Sequence, residues 1–193
     1  MFYEKSFSIT QRLPLSYPQN ARILRAFLIF ALQKYRSMSP DQFKQEIDRL
    51  QDEFKALFAK YAPTIAGKTA VSYFKKNFQN EAWGRVRWQE VKRRMDPRVK
   101  GARASRKILT GDTGDLARSI EVKAVSKGQV VIWTAPSAFG SKEPYGRVHN
   151  EGLRAGRGKG FIMPKRQFMG ESEELNALII SELERKLKQI ANQ

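Results

Sequence analysis

Cysteine is absent from the 193 residues. That removes disulfide frameworks, thiolate metal sites and cysteine nucleophiles together, and it is compatible with a reducing compartment. Histidine occurs once, at position 149. Long apolar runs are lacking too. The strongest, residues 23–32 (ILRAFLIFAL), falls short of the ~20 apolar residues a bilayer span needs and contains Arg25. No small-residue cleavage site follows before Gln33, Lys34, Tyr35 and Arg36, so a secretory leader is not indicated. The chain is read as neither exported nor embedded in a membrane. Carboxylates are scarce: 19 Asp and Glu stand against 36 Lys and Arg, a net charge of +17. Such a field favours polyanionic partners, whether nucleic acid, an acidic protein surface or anionic lipid.

What is present suits one folded domain. Hydrophobic residues make up 41% of the chain, enough to bury a core. Residues 1–37 show no clean period, and Pro14 and Pro18 break their first half. They read as an extension, either a poorly ordered arm or a stretch upstream of a native start at Met38. Residues 38–193 form the single domain. It opens on Ser39, Pro40 and Asp41, which suit a helix N-cap, first turn and dipole. The spacing of Phe43, Ile47, Leu50, Phe54, Leu57, Phe58 and Tyr61 predicts a long amphipathic helix, which Pro63 punctuates. A second helix then carries Ile65, Thr69, Ala70, Tyr73, Phe74 and Phe78 inward, ending near residues 80–83.

Residues 85–107 hold ten Lys and Arg against two carboxylates, a local charge of +8. Pro97 and Gly101 argue against a continuous helix, so a mobile cationic loop is expected there. Gly111 and Gly114 permit a sharp turn, after which Asp112 or Thr113 would cap a short helix bearing Leu116 and Ile120. Alternation at Ile120, Val122 and Ala124 and the run QVVIWTA at 129–135 predict two strands, with residues 126–128 as a hairpin turn. Residues 136–144 read as a loop and 145–152 as a helical turn closed by Gly152. A cationic loop (153–160) and a short strand (161–163) follow. In the final helix, 171–191, Leu175, Leu178, Ile179, Leu183, Leu187 and Ile190 form the inner face. The fold class is therefore α+β, a small antiparallel sheet packed with long amphipathic helices.

The order of these elements resembles the phage virion morphogenesis, or tail completion, family, which includes the protein G-like sequences of phage Mu. The resemblance covers roughly two-thirds of the chain. It rests on Phe74 and Phe78 before Trp83 and Trp88, a basic stretch, residues 107–109 with 114–120, residues 145–152, residues 163–170 (MPKRQFMG) and a closing amphipathic helix. Gly114, Leu116, Ser119, Ile120, Tyr145, His149, Gly152, Pro164, Arg166 and Phe168 are its structural positions. The resemblance implies a tail-completion or tail-terminator-like fold that assembles as a ring, with no enzymatic activity and no cofactor. It also implies, as partners, copies of the same chain and the tail-tube, neck or connector proteins. The place of action would be the bacterial host cytoplasm during assembly, then the virion.

Chemical readings are weaker than structural ones. A triad around His149 would need a nucleophile and an orienting acid, and neither Ser137 nor Ser141 sits in an elbow motif. Asp112, Asp115, Glu151 and Glu171 lack calcium-loop spacing. Gly156, Gly158 and Gly160 keep a loop flexible without the order of a phosphate-binding loop. Arg166 is expected to pair with a carboxylate of its own domain or of a neighbouring subunit. Trp83 and Trp88 are expected in the core, with base stacking as the alternative. Candidate DNA or partner contacts are Arg85, Arg87, Lys92, Arg93, Arg94, Arg98, Lys100, Arg103, Arg154, Arg157 and Lys159. Neutralising phosphates with them would make this a small, non-sequence-specific nucleic-acid-binding protein, the competing function.

Overall fold

A capping box starts the first helix of the computed structural model, which describes residues 4–8, 38–126, 129–139 and 145–191. Gln42 N–H donates to Ser39 Oγ at 3.3 Å, and Ser39 N–H donates back to Gln42 Oε1 at 3.0 Å. Helix α1 (Pro40–Ala56) passes through one π turn (Leu57–Tyr61) directly into α2 (Ala62–Asn80). The expected break at Pro63 does not occur. A proline ring crowds the carbonyl four residues earlier in a regular helix, and the wider π turn opens the backbone there.

That turn also changes which side chains face inward. Leu50 and Leu57 are buried with Ile190 in a small second core, flanked by Tyr61 and Leu187. Phe58 and Phe43, expected on the same face, are 55% and 45% exposed. The extra residue in the π turn rotates Phe58 off the face. Further along, α2 buries Ala66, Ala70, Tyr73, Phe74 and Phe78. Gly67 lets it lie close to the sheet, since a Cβ there would sit 3.0 Å from Val122 Cγ2 and 3.2 Å from Val130 Cγ1.

The sheet is antiparallel, in the order β1-β5-β4, with β1 Glu4–Ser8, β4 Ile120–Ser126 and β5 Gln129–Thr134. Ile120 lies opposite Thr134, and Ser126 opposite Gln129; Lys127 and Gly128 of the expected turn lie outside the described residues. Strand β5 alternates as its sequence requires, with Val130, Ile132 and Thr134 buried. In β4 the register shifts between Val122 and Ala124, a bulge at Lys123 that leaves Ala124 exposed against expectation. Residues 4–8, within the N-terminal extension, pair with β5 (Phe7 opposite Val130); residues 1–3 and 9–37 lie outside the described residues.

Short elements complete the fold. They are the ribbon β2 (Ala82–Trp83) and β3 (Val86–Arg87), then α3 (Lys92–Met95), α4 (Ala102–Ser105) and α5 (Asp115–Arg118). After β5 come a 3-10 turn (Pro136–Phe139), α6 (Gly146–Glu151), the ribbon β6 (Arg154–Ala155) and β7 (Phe161–Ile162), and α7 (Glu173–Ala191). Of the loop expected over 136–144, residues 140–144 lie outside the described residues. Helix α7 turns Leu175, Leu183 and Ile190 inward, while Leu178 is 44% exposed, a correction to its expected place. The main core joins Phe74, Phe78, Trp88, Ile108, Leu116, Ile120, Ile132, Phe168 and Leu175. Each fully buried side chain of this size contributes roughly 1.5–3 kcal/mol. The architecture is α+β, a small antiparallel sheet packed with long helices.

Candidate functional site

Residues 163–170 form a strap without regular structure, so their backbone groups need partners from elsewhere. Asn150 at the end of α6 supplies three of them. Its Oδ1 accepts from Phe168 N–H at 2.8 Å and Met169 N–H at 2.9 Å, and its Nδ2 donates to Met169 O at 3.1 Å. Asn77 Nδ2 donates to Phe168 O at 3.2 Å, and Trp88 Nε1 donates to Gln167 O at 2.7 Å. Arg166 N–H donates to His149 O at 2.7 Å. Gly152, at φ 73°, closes α6 where a Cβ would lie 3.0 Å from Lys165 Cβ. Phe168 and Met169 are fully buried.

Within its own domain Arg166 finds a carbonyl and not a carboxylate. It is 6% exposed, its Nε donates to Gln89 O at 3.0 Å, and no ion pair joins it to a carboxylate among the described residues. Burial, then the nearby Arg93 cation, lowers its pKa. The arginine ties the strap to the basic segment through a carbonyl instead of a carboxylate.

Glu81 organises that segment. It caps α2 in the left-handed region (φ 53°), where its carboxylate accepts from Arg94 at 2.5 and 3.0 Å and from Ile108 N–H at 2.6 Å. Arg93 donates to Arg103 O at 3.1 Å, Arg106 O at 2.7 Å and Lys107 O at 2.9 Å. Arg106 pairs with Asp112, so that carboxylate does not cap α5. Gly114 takes the cap position, at φ 72°, and Asp115 pairs with Arg118 at 2.6 Å. Pro97 and Gly101 do interrupt the segment, but α3 and α4 stand on either side of them.

The candidate cations therefore separate. Arg93 and Arg94 are turned into the chain, and Arg98 pairs with Asp96 at 2.9 Å. Arg85, Arg87, Lys92, Lys100 and Arg103 are exposed, with no side-chain partner among the described residues. In the β6–β7 ribbon Arg154 donates to Lys159 O, while Arg157 and Lys159 are exposed. Beside them Phe161 and Ile162 are 56% and 65% exposed. Trp88 is buried and edge-on to Phe78, and Trp83 stacks on Phe74, so both tryptophans serve the core.

Replacing Glu81 with alanine is expected to loosen residues 92–107 while the main core survives. Limited trypsin digestion would then cleave at Arg98, Lys100 or Arg103 at least about tenfold faster, corresponding to about 1.4 kcal/mol of local opening. Unchanged cleavage would contradict this role. The Arg94 hydrogen bonds foremost, and the Ile108 N–H, hold the Glu81 carboxyl below its ordinary 4.5. Its stabilising contribution is present above that pH and is lost on acidification through the lowered value.

His149 packs edge-on against Tyr145, with ring centroids 5.6 Å apart. Its Nδ1 is buried with no hydrogen-bond partner among the described residues, so none of their carboxylates or serines orients the imidazole at that atom. Burial, and secondarily the Arg166 cation, pushes its pKa from 6.5 down to about 4. The folded state thus resists protonation that the unfolded chain accepts. Stability should fall as pH drops from about 6.5 to about 4. In His149→Phe that slope should be shallower in urea titrations across this range; an equal slope would show that other groups carry it. Among the described residues, no three His, Asp or Glu side chains group as metal ligands, and no helix is long and apolar enough to cross a membrane.

Asn150, Asn77 and Glu81 escaped the sequence reading. Asn150 lies inside a recognised motif, yet its partners are 18 and 19 residues away. Glu81 reaches 13 and 27 residues along the chain, which no local spacing signals. Compared with known families, residues 41–188 match the phage virion morphogenesis family. No curated protein and no solved structure matches the chain.

Proposed function

The chain belongs to the phage virion morphogenesis family, and we propose that it is a structural subunit that completes the tail or joins it to the head. It assembles with copies of itself into a ring and contacts tail-tube, neck or connector proteins. It acts in the host cytoplasm during assembly and stays in the virion. The observation that carries this reading is the use to which the family motifs are put. The strap and the α6 turn hold each other through Asn150 and Gly152, and Leu116 of the Gly114–Ile120 turn packs with Phe168 against Gly146. What they leave outward is a cationic surface with an apolar ribbon at Phe161 and Ile162. That surface is suited to fitting against other chains.

The test is genetic and structural. A phage lacking this chain should release heads and tails that do not join, and supplying the chain should restore joined particles containing it. Size-exclusion chromatography with negative-stain microscopy should show a ring, alone or on tails. Normal particles in its absence would overturn the proposal.

A second reading, non-specific DNA contact, is favoured by the five free cations between Arg85 and Arg103. Each phosphate neutralised adds about 0.9 to the slope of log affinity against log salt. The triple variant Arg85→Ala, Arg87→Ala, Lys92→Ala should therefore reduce that slope by roughly two to three. Binding that ignores salt, or a slope the triple variant leaves unchanged, would remove this reading.

A further inference from the structure

A pocket of about 360 Å³ opens where α2, α5 and the chain between Lys107 and Thr110 meet. Its apolar surface includes Phe78 and Ala117, and Lys75, Lys107 and Arg118 line it with positive charge. Lys75 has no side-chain partner among the described residues. Lys107 Nζ donates to Gln79 O at 2.5 Å. Arg118 donates to Asp115 at 2.6 Å with its side chain still 67% exposed. Lys75, Lys107 and Arg118 take no part in the strap's backbone bonds and are not among the free cations of 85–103.

We propose that this pocket docks an acidic peptide segment of another virion protein. One apolar side chain packs into the opening beside Ala117, over the nearly buried edge of Phe78, and flanking carboxylates meet Lys75, Lys107 and Arg118. That the donor is a virion protein rests on the assembly reading above; the chemistry of the occupant rests on the pocket. A mixed lining selects a mixed ligand: apolar area rewards burial, and converging ammonium and guanidinium groups select carboxylates. A second copy of this chain is a poor donor. It carries +17, and many of its carboxylates are already paired: Glu46 with Arg49, Asp52 with Lys55, Glu81 with Arg94, Asp96 with Arg98, Asp112 with Arg106 and Glu182 with Arg185. A phosphodiester backbone satisfies the cations but offers the apolar lining nothing at the same spot.

The probe is a fluorescein-labelled 12-residue peptide with one phenylalanine flanked on each side by two glutamates. Its binding to the full chain is measured by fluorescence anisotropy at ~0.15 M salt, where screening beyond about 8 Å suppresses the far field. Lys75→Glu should weaken binding about tenfold or more. Ala117→Leu, which fills the pocket without changing charge, should weaken it similarly, and so should replacing the peptide phenylalanine with serine. Lys44→Glu makes the same charge change on the exposed start of α1, outside the pocket, and should weaken binding less than about twofold. Thermal melts of the variants confirm that they fold.

Equal losses from Lys75→Glu and Lys44→Glu, or indifference to the peptide phenylalanine, would overturn the proposal. So would a single-stranded oligonucleotide that binds as tightly and loses as much with Lys75→Glu, because the pocket would then be a nucleic-acid site. The assembly reading is judged separately. If the peptide fails while the wild-type chain still enters particles, only the pocket proposal falls; a wild-type chain absent from particles removes that reading instead.

Discussion

Asn150→Ala is expected to lower the stability of the domain by about 3–6 kcal/mol. One side chain satisfies three buried backbone groups, the N–H of Phe168, the N–H of Met169 and the carbonyl of Met169. Alanine leaves all three unpaired in a region that water does not reach, and each buried unsatisfied group costs about 1–3 kcal/mol. Typical domains hold only about 5–15 kcal/mol in total, so much of the margin would go. Asn150→Asp provides the internal comparison. It keeps an oxygen for both N–H groups and loses the donor to Met169, so it should fall between wild type and alanine near neutral pH. Urea unfolding followed by tryptophan fluorescence reads both, because Trp83 and Trp88 report on the same core. A loss below about 1 kcal/mol for Asn150→Ala would mean that the strap is held by something else.

Phe168→Ala is expected to cost about 3–5 kcal/mol, the range for emptying a large aromatic from a packed core. Phe168 is fully buried, lies 5.1 Å from the Phe78 ring, and would touch a Cβ added at Gly146 at 3.5 Å. Gly146 is equally constrained, with Leu116 Cδ1 at 3.1 Å and Thr134 Cγ2 at 3.2 Å from such a Cβ. The surroundings therefore have little freedom to collapse into the cavity. Phe168→Leu retains most of the volume and should cost less than half as much. The two sites are coupled, since Asn150 holds the backbone of the residue whose side chain fills the core. The double variant Asn150→Ala, Phe168→Ala should lose less than the two single losses added together. Strict additivity would show that the hydrogen bonds and the ring act independently.

Much of the fold was legible because it follows from local spacing. The capping box at Ser39 and Gln42, the apolar period of α2 and the alternation in β5 each express a backbone period in side-chain order. Departures occurred where one residue changed the phase. The π turn put Phe58 outward, and the bulge at Lys123 did the same to Ala124. The candidate site was legible only as a set. Ten cations in 85–107 were evident, but which were free was not. Arg93 and Arg94 are drawn inward by carbonyls and a carboxylate that sequence spacing does not place nearby, and Arg106 is taken up at the surface by Asp112.

Sequence alone determined the charge, the absence of thiol chemistry, the α+β class and the order of motifs that matches the phage family, because composition and period are properties of the linear chain. Tertiary structure alone decided that Asn150 secures the strap, that Glu81 organises the basic segment, and that Lys75, Lys107 and Arg118 share one pocket. The physical reason is distance. Hydrogen bonds and charges act over a few ångströms in space, and only folding sets which residues, far apart along the chain, come that close.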